Sequence, residues 1–274
     1  DLSIPIQTEK DCFQIFKLPS IITNTYPNKK LRKIIVGPPK NYFKKEVKIL
    51  IVGTNGHGKT TILNYIANYL YGVEWNDDFR FKVVLDGDDS EKKVDSFWTI
   101  CQTNYITAYT LYWQPGFSVP YTVTLIDTPG IADIRGEEHD KEVISQIESF
   151  FKNENGCGFY SLNAVALVMN SSLNPHCMHY PCYMFDSLKK LFGNDIANNL
   201  ITIGTFADGS NTLLDSLDFA QIPKTYFCRF NNYSLSGSIY DEDNLFKKLL
   251  WDMGKTNYAN LFEYINNMEP RSLK

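Results

Sequence analysis

Residues 53–60 read Gly53-Thr54-Asn55-Gly56-His57-Gly58-Lys59-Thr60, and no other stretch restricts the fold so tightly. A Gly-x-x-x-x-Gly-Lys-Thr loop works only where a strand delivers it and a helix leaves it. Both flanks comply. Val47-Lys48-Ile49-Leu50-Ile51-Val52 has the short, β-branched character of a buried strand, and Ile62, Leu63, Ile66, Ala67 and Leu70 recur at helical spacing before Gly72. In that setting the glycines let backbone N–H groups converge on an anion, and the helix adds the positive end of its dipole. Lys59 then reaches the β- and γ-phosphates, and the Thr60 hydroxyl ligates Mg²⁺.

Composition narrows the class further. A hydrophobic content of 43% over 274 residues supports one extended α/β domain, and a net charge of −4 argues against nucleic acid as the main partner. The basic stretch Lys29, Lys30, Arg32, Lys33, Lys40, Lys44 and Lys45 reads as a solvated lead-in to the first core strand. No apolar run approaches the roughly 20 residues of a membrane helix; the run Ala164 to Met169 is of strand length. No signal peptide precedes the fold, so membrane association is expected only through a tail outside this sequence. The six cysteines show no paired spacing and suit a reduced, cytoplasmic protein. His176-Cys177-Met178-His179-Tyr180-Pro181-Cys182 holds four potential metal ligands but has no second knuckle, so it reads as loop filling.

The rest of the chain alternates strand and helix patterns, as a mostly parallel sheet covered on both faces requires. Ile106–Trp113 and Val119–Ile126 join through Gln114-Pro115-Gly116 as an antiparallel hairpin, which gives one antiparallel edge strand. Helical stripes follow at Val143, Ile144, Ile147, Phe150 and Phe151, and at Met184, Phe185, Leu188, Leu191 and Phe192. Strands are expected at 162–169, 200–205 and 225–230, and a last helix from Leu245 through Ile265. Residues 1–45, with five prolines, read as an irregular segment wrapping a domain that spans 46–274.

Two further motifs carry chemistry. In Thr124-Leu125-Ile126-Asp127-Thr128-Pro129-Gly130, a carboxylate at a strand end can hold an Mg²⁺-bound water, and the Gly130 N–H can meet a γ-phosphate. Thr205-Phe206-Ala207-Asp208 ends the strand from Leu200, at the sheet edge where α/β folds bind ligands. A carboxylate there accepts two hydrogen bonds from the guanine N1–H and 2-amino groups. Adenine lacks that donor pair, so Asp208 disfavours an ATPase.

The order of these motifs resembles that of the Ras-like (TRAFAC) GTPases. Phe230-Asn231-Asn232 looks like the last nucleotide motif of the GIMAP family, and Phe185 to Gly193 resembles the helix before its base motif. Septins and the chloroplast Toc receptors are relatives of that group. The resemblance covers about residues 47–265 and implies a P-loop NTPase G domain. It assigns Gly53 to Thr61, with Asn55, Gly56, His57, Gly58 and Thr61, to phosphates and Mg²⁺. Gly130 goes to the γ-phosphate, and Asp208, with Thr205, Phe206, Asn231 and Asn232, to guanine. Thr103 best fits the Mg²⁺-binding threonine of the first switch, with Thr107 as the fallback, alongside Thr60 and Asp127. Phe206 stands where many such proteins have a lysine packing on the purine, and an aromatic face could stack instead. Trp75 to Ser96 reads as an insertion, whose charged run 86–91 is a solvated loop.

Ile131 follows Gly130, where Ras-type enzymes place a water-orienting glutamine. Slow hydrolysis is therefore expected, aided across a nucleotide-sandwiched homodimer or oligomer by Arg135 as candidate catalytic residue. His139 reads as a surface residue. The other expectation is a septin-like GTP/GDP-binding structural module with negligible turnover.

Overall fold

The computed structural model describes residues 4–7, 14–38, 44–84, 103–131, 136–152, 156, 158–235 and 244–272. In chain order the first half contains β1 (Ile4–Gln7), β2 (Gln14–Lys17), β3 (Ser20–Tyr26), β4 (Leu31–Val36), β5 (Glu46–Gly53), α1 (Lys59–Leu70) and β6 (Phe79–Lys82). Then come β7 (Ile106–Leu111), β8 (Thr122–Asp127), α2 (Glu137–Phe151), β9 (Ser161–Leu162), β10 (Ala164–Asn170) and α3 (His179–Phe192). The chain continues through β11 (Leu200–Thr205), α4 (Thr212–Phe219), β12 (Phe227–Arg229), α5 (Asn244–Asn266) and β13 (Arg271–Ser272). Arg135 and the charged run 86–91 lie outside the described residues.

The central sheet runs β12-β11-β10-β5-β8-β7-β4-β3. Strands β12, β11, β10, β5 and β8 are mutually parallel, and β7 pairs antiparallel with β8. Successive side chains of a strand point to opposite faces, and both faces here are apolar. Val47, Ile49 and Ile51 of β5 join Ala164, Ala166 and Val168 of β10 beneath α1 and α5. Leu50 and Val52, with Val165, Leu167 and Met169, pack beneath α2, α3 and α4. This two-sided burial explains why the strands read as continuous hydrophobic runs. The expected stripes of α2 and α3 are the ones that pack there: Val143, Ile147, Phe150, Phe151, Met184 and Leu188 are all buried.

The lead segment departs from the expectation of irregular structure. β4 pairs in parallel with β7, register Leu31↔Ile106 to Val36↔Leu111, and β3 folds back antiparallel on β4. The strand expected at the sheet edge therefore lies two strands inside it. The basic stretch hid this because Lys29, Lys30, Arg32 and Lys33 obscure the buried positions Leu31, Ile34 and Val36. β6, within the expected insertion, pairs in parallel with β2, which pairs antiparallel with β1 in a small second sheet.

Candidate nucleotide-binding site

The Gly53–Thr60 loop leaves the C-terminal end of β5, and each of its glycines answers to a distinct constraint. Gly53 (φ +153) lies so close to β10 that a Cβ would sit 2.2 Å from the Val168 carbonyl oxygen. Gly56 and Gly58, at φ +74 and +87, are left-handed and make the turn into α1. α1 starts at Lys59 with no side-chain cap on its first turn, so its leading N–H groups face the loop. The Lys59 ammonium, 7% exposed, donates to the Gly53 and Thr54 carbonyls, each at 3.1 Å. The loop is thus closed around its own cation, and Asn55 Oδ1 accepts from the Gly56 N–H at 3.0 Å.

The second motif lies against the first. Asp127 ends β8 with its carboxylate 1% exposed, and its Cα partners are Ile51 on β5 and Thr107 on β7. Thr128 donates to the Ile51 carbonyl at 2.8 Å. Gly130 is required by proximity: a Cβ there would meet the Asn55 Cα at 2.7 Å. Ile131 then forms a single parallel bridge with Thr54, its N–H donating to the Gly53 carbonyl (3.3 Å) and its carbonyl accepting from the Asn55 N–H (2.9 Å). The Ile131 side chain is fully buried beneath α2 and α3. It fills the core.

Thr103 lies three residues before β7 on half-buried chain, whereas Thr107 is inside β7, fully buried, with a hydroxyl that meets no partner among the described residues. His139 is buried rather than at the surface, its Nδ1 3.8 Å from Glu142 in the first turn of α2.

The third motif closes the site. Thr205 Oγ1 lies 2.9 Å from the His57 carbonyl and 3.0 Å from that of Met169, so it ties the base loop to the phosphate loop. The His57 imidazole is pushed down to about 4 by burial, with the Lys59 charge adding to the effect, and stays neutral near pH 7. Three segments then enclose a cavity of about 390 Å³. Gly58 and Thr61 line it from the phosphate side, Thr205 and Phe206 from the loop after β11, and Asn231, Asn232 and Tyr233 from the loop after β12. The loops are laced together, with Ala207 N–H donating to the Phe230 carbonyl (3.2 Å) and Asn231 Nδ2 to that of Ala207 (3.0 Å).

Asp208 stands at the rim, exposed, and is not part of the cavity lining. Its Oδ1 accepts the Ser210 N–H at 2.9 Å, and this contact holds the carboxyl below the usual aspartate value. Tyr233 escaped the sequence reading, since it lies one residue beyond the recognised Asn231-Asn232 pair and no pattern marks it.

The central sheet runs β12-β11-β10-β5-β8-β7, with the glycine loop after β5, and solved structures resemble the chain as a whole. One solved chain, described under the importance of dimerisation for the GTPase activity of chloroplast translocon components atToc33 and psToc159, superposes at a TM-score of 0.50 and 13% identity, over 84% of this chain and 86% of that one. The fold is that of a P-loop GTPase G domain. Toc33 from Arabidopsis thaliana in complex with Mg²⁺ and GMPPNP gives a TM-score of 0.47 at 14% identity, covering 84% and 88%. SsGBP in complex with GDP gives 0.40 at 14% identity, over 82% of this chain and 53% of that one. At such identity the likeness concerns the fold. No protein-family model and no curated protein matches the chain. In this G domain, as its topology requires, the candidate site lies at the C-terminal ends of the parallel strands.

Proposed function

We propose that this G domain binds GTP and GDP with Mg²⁺, hydrolyses GTP slowly, and associates through its nucleotide face in the manner of the GIMAP, septin and Toc group. The observation that carries the reading is the lacing of three sequence-distant motifs around one loop: Ile131 bridged to Thr54, and Thr205 hydrogen-bonded to His57. The phosphates would lie on the Gly53–Thr61 backbone, with Lys59 as counter-charge and the Gly130 N–H at the γ-position. Asp208 would read guanine at the rim.

The oxygen donors fit a hard cation. Thr60 heads α1, Asp127 presents a nearly inaccessible carboxylate beside β5, and Thr103 precedes β7. Bound there, Mg²⁺ would neutralise charge on the β- and γ-oxygens. Asp127 would orient its water ligands, while Lys59 would hold the phosphates in line.

Ile131 supports the slow turnover, because its side chain is committed to the core and offers no group to an attacking water. The same residue favours the second reading, a septin-like module whose assembly matters and whose turnover is negligible. The domain would act in the cytoplasm or at the cytosolic face of membranes.

Turnover per protomer across a wide dilution series separates the readings. Activity that rises with concentration, and is lost on Arg135→Ala with GTP binding retained, supports the associating hydrolase. Appreciable concentration-independent activity means that each protomer acts alone, and activity near zero throughout supports the structural module. Absence of GTP binding overturns both.

A further inference from the structure

Two aromatic rings line the candidate base cavity, and neither is placed cheaply. Phe206 holds φ +52, a left-handed conformation that a bulky side chain rarely adopts, and its ring is 57% exposed. Burial cannot be the reason for that strain. What the conformation achieves is to bring the ring beside the phosphate loop, where its Cε2 would lie 3.9 Å from a Cβ built on Gly58. Tyr233 reaches the same cavity from the other loop, 49% exposed, on a turn where its N–H donates to Asn231 Oδ1 at 3.1 Å. Lys247 of α5, itself buried, puts its Nζ 4.9 Å from the centroid of the Tyr233 ring. One ring face is thereby occupied by a cation, which leaves the other surface for the cavity. Asn232 also lines this cavity, and its Oδ1 is buried and meets no hydrogen-bond partner among the described residues.

We infer that Tyr233 is a base-stacking residue, and that the purine inserts as a layer between Tyr233 and Phe206 with the Asn232 amide meeting its edge. This rests on the nucleotide-binding reading and deepens it. Affinity and selectivity are then divided: the rings hold any purine by its face, and Asp208 distinguishes guanine at the rim. Stacking on an aromatic ring is indifferent to base identity because every base has a π-face.

The experiment measures affinities for GDP, ADP and Mg²⁺-pyrophosphate by calorimetry, with the hypochromism of bound guanine, for the parent, Tyr233→Ala, Tyr233→Leu, Tyr233→Phe and Phe206→Ala. The expected result is a GDP affinity weakened roughly tenfold in the Ala and Leu variants, ADP weakened by the same factor, and pyrophosphate within about twofold of the parent. Tyr233→Phe should restore both affinity and hypochromism. GDP binding as tight as the parent's in Tyr233→Ala and Tyr233→Leu, with hypochromism intact, overturns the inference and leaves the nucleotide reading standing. A parent that binds pyrophosphate but no GDP overturns the inference. A parent that binds neither overturns the nucleotide reading along with it.

Discussion

Tyr65 Oη and Ser234 Oγ lie 3.1 Å apart, both buried, and tie the helix that leaves the phosphate loop to the turn that carries Tyr233. Burial pushes the Tyr65 hydroxyl far above its usual titration range, so the contact stays neutral at every physiological pH. Gly254 of α5 completes the nest, since a Cβ there would come within 3.1 Å of that hydroxyl. Ser234→Ala leaves a buried hydroxyl without its partner and should cost about 1–3 kcal/mol in urea unfolding. GDP affinity should fall more than pyrophosphate affinity, because it is the base loop that loosens.

Lys59→Ala should abolish tight triphosphate binding, since no other cation belongs to the loop. Thr60→Ala should weaken Mg²⁺-dependent binding more than Mg²⁺-free binding. Calorimetry of GTP with and without Mg²⁺ checks both, and parental affinity in both variants would place the phosphates elsewhere.

Guanine preference should reside in Asp208. Asp208→Asn keeps an Oδ1 acceptor for the Ser210 N–H, so the loop survives the change. The ratio of GDP to ADP affinity should collapse while ADP binding itself is little altered, and xanthosine diphosphate should gain. The depressed carboxyl stays ionised down to below the ordinary aspartate value, so the preference should hold across mildly acidic pH.

Acid should destabilise the domain through His57. Its imidazole titrates at about 4 when folded against 6.5 in the unfolded chain, so the unfolded state takes up the proton first as pH falls. The stability it contributes is present above pH 6.5 and is lost between 6.5 and 4, on the order of 2 kcal/mol after allowing for its solvent contact. Denaturant midpoints from pH 8 to 4 should drop less steeply for His57→Gln than for the parent.

Two glycines in one loop should respond differently to alanine. At Gly53 the new Cβ would collide with the Val168 carbonyl oxygen at 2.2 Å, and strand pairing forbids retreat. At Gly56 the Cβ meets nothing within 4 Å among the described residues, and only the left-handed φ of +74 is strained. Gly53→Ala should fail to fold or lose several kcal/mol, whereas Gly56→Ala should lose about 1 kcal/mol in thermal denaturation.

Much of the interior could be read from local pattern. β5, β10 and β11 announce themselves because burial on both faces makes them uniformly apolar, and the helical stripes of α2 and α3 follow the same rule. The phosphate loop and Asp127–Gly130 were legible because their chemistry demands fixed residue types at fixed spacing. β3 was not, since Ile21 and Ile22 are exposed and the strand has no apolar alternation to show. Its place depends on β4, whose parallel partner lies 75 residues away at Leu31↔Ile106 and leaves no local trace. β6 was lost for a similar reason: it is defined by pairing with β2, a segment read as irregular. Tyr233 belongs to a cavity built from three distant loops, and only the folded chain brings those loops together.

The β3–β4 hairpin also decides how other chains can reach the sheet. With β4 seated along the outer side of β7, the backbone amides of β7 are already spoken for, and a partner cannot extend the sheet there. On the opposite margin, β12 is three residues long and runs directly into the base loop. Among the described residues, strand addition to the central sheet is thereby diverted to the seven-residue β3, two strands outboard of β7. The bulge between Ile22 and Asn24 interrupts that margin midway and limits a flat, in-register mate to one half of it.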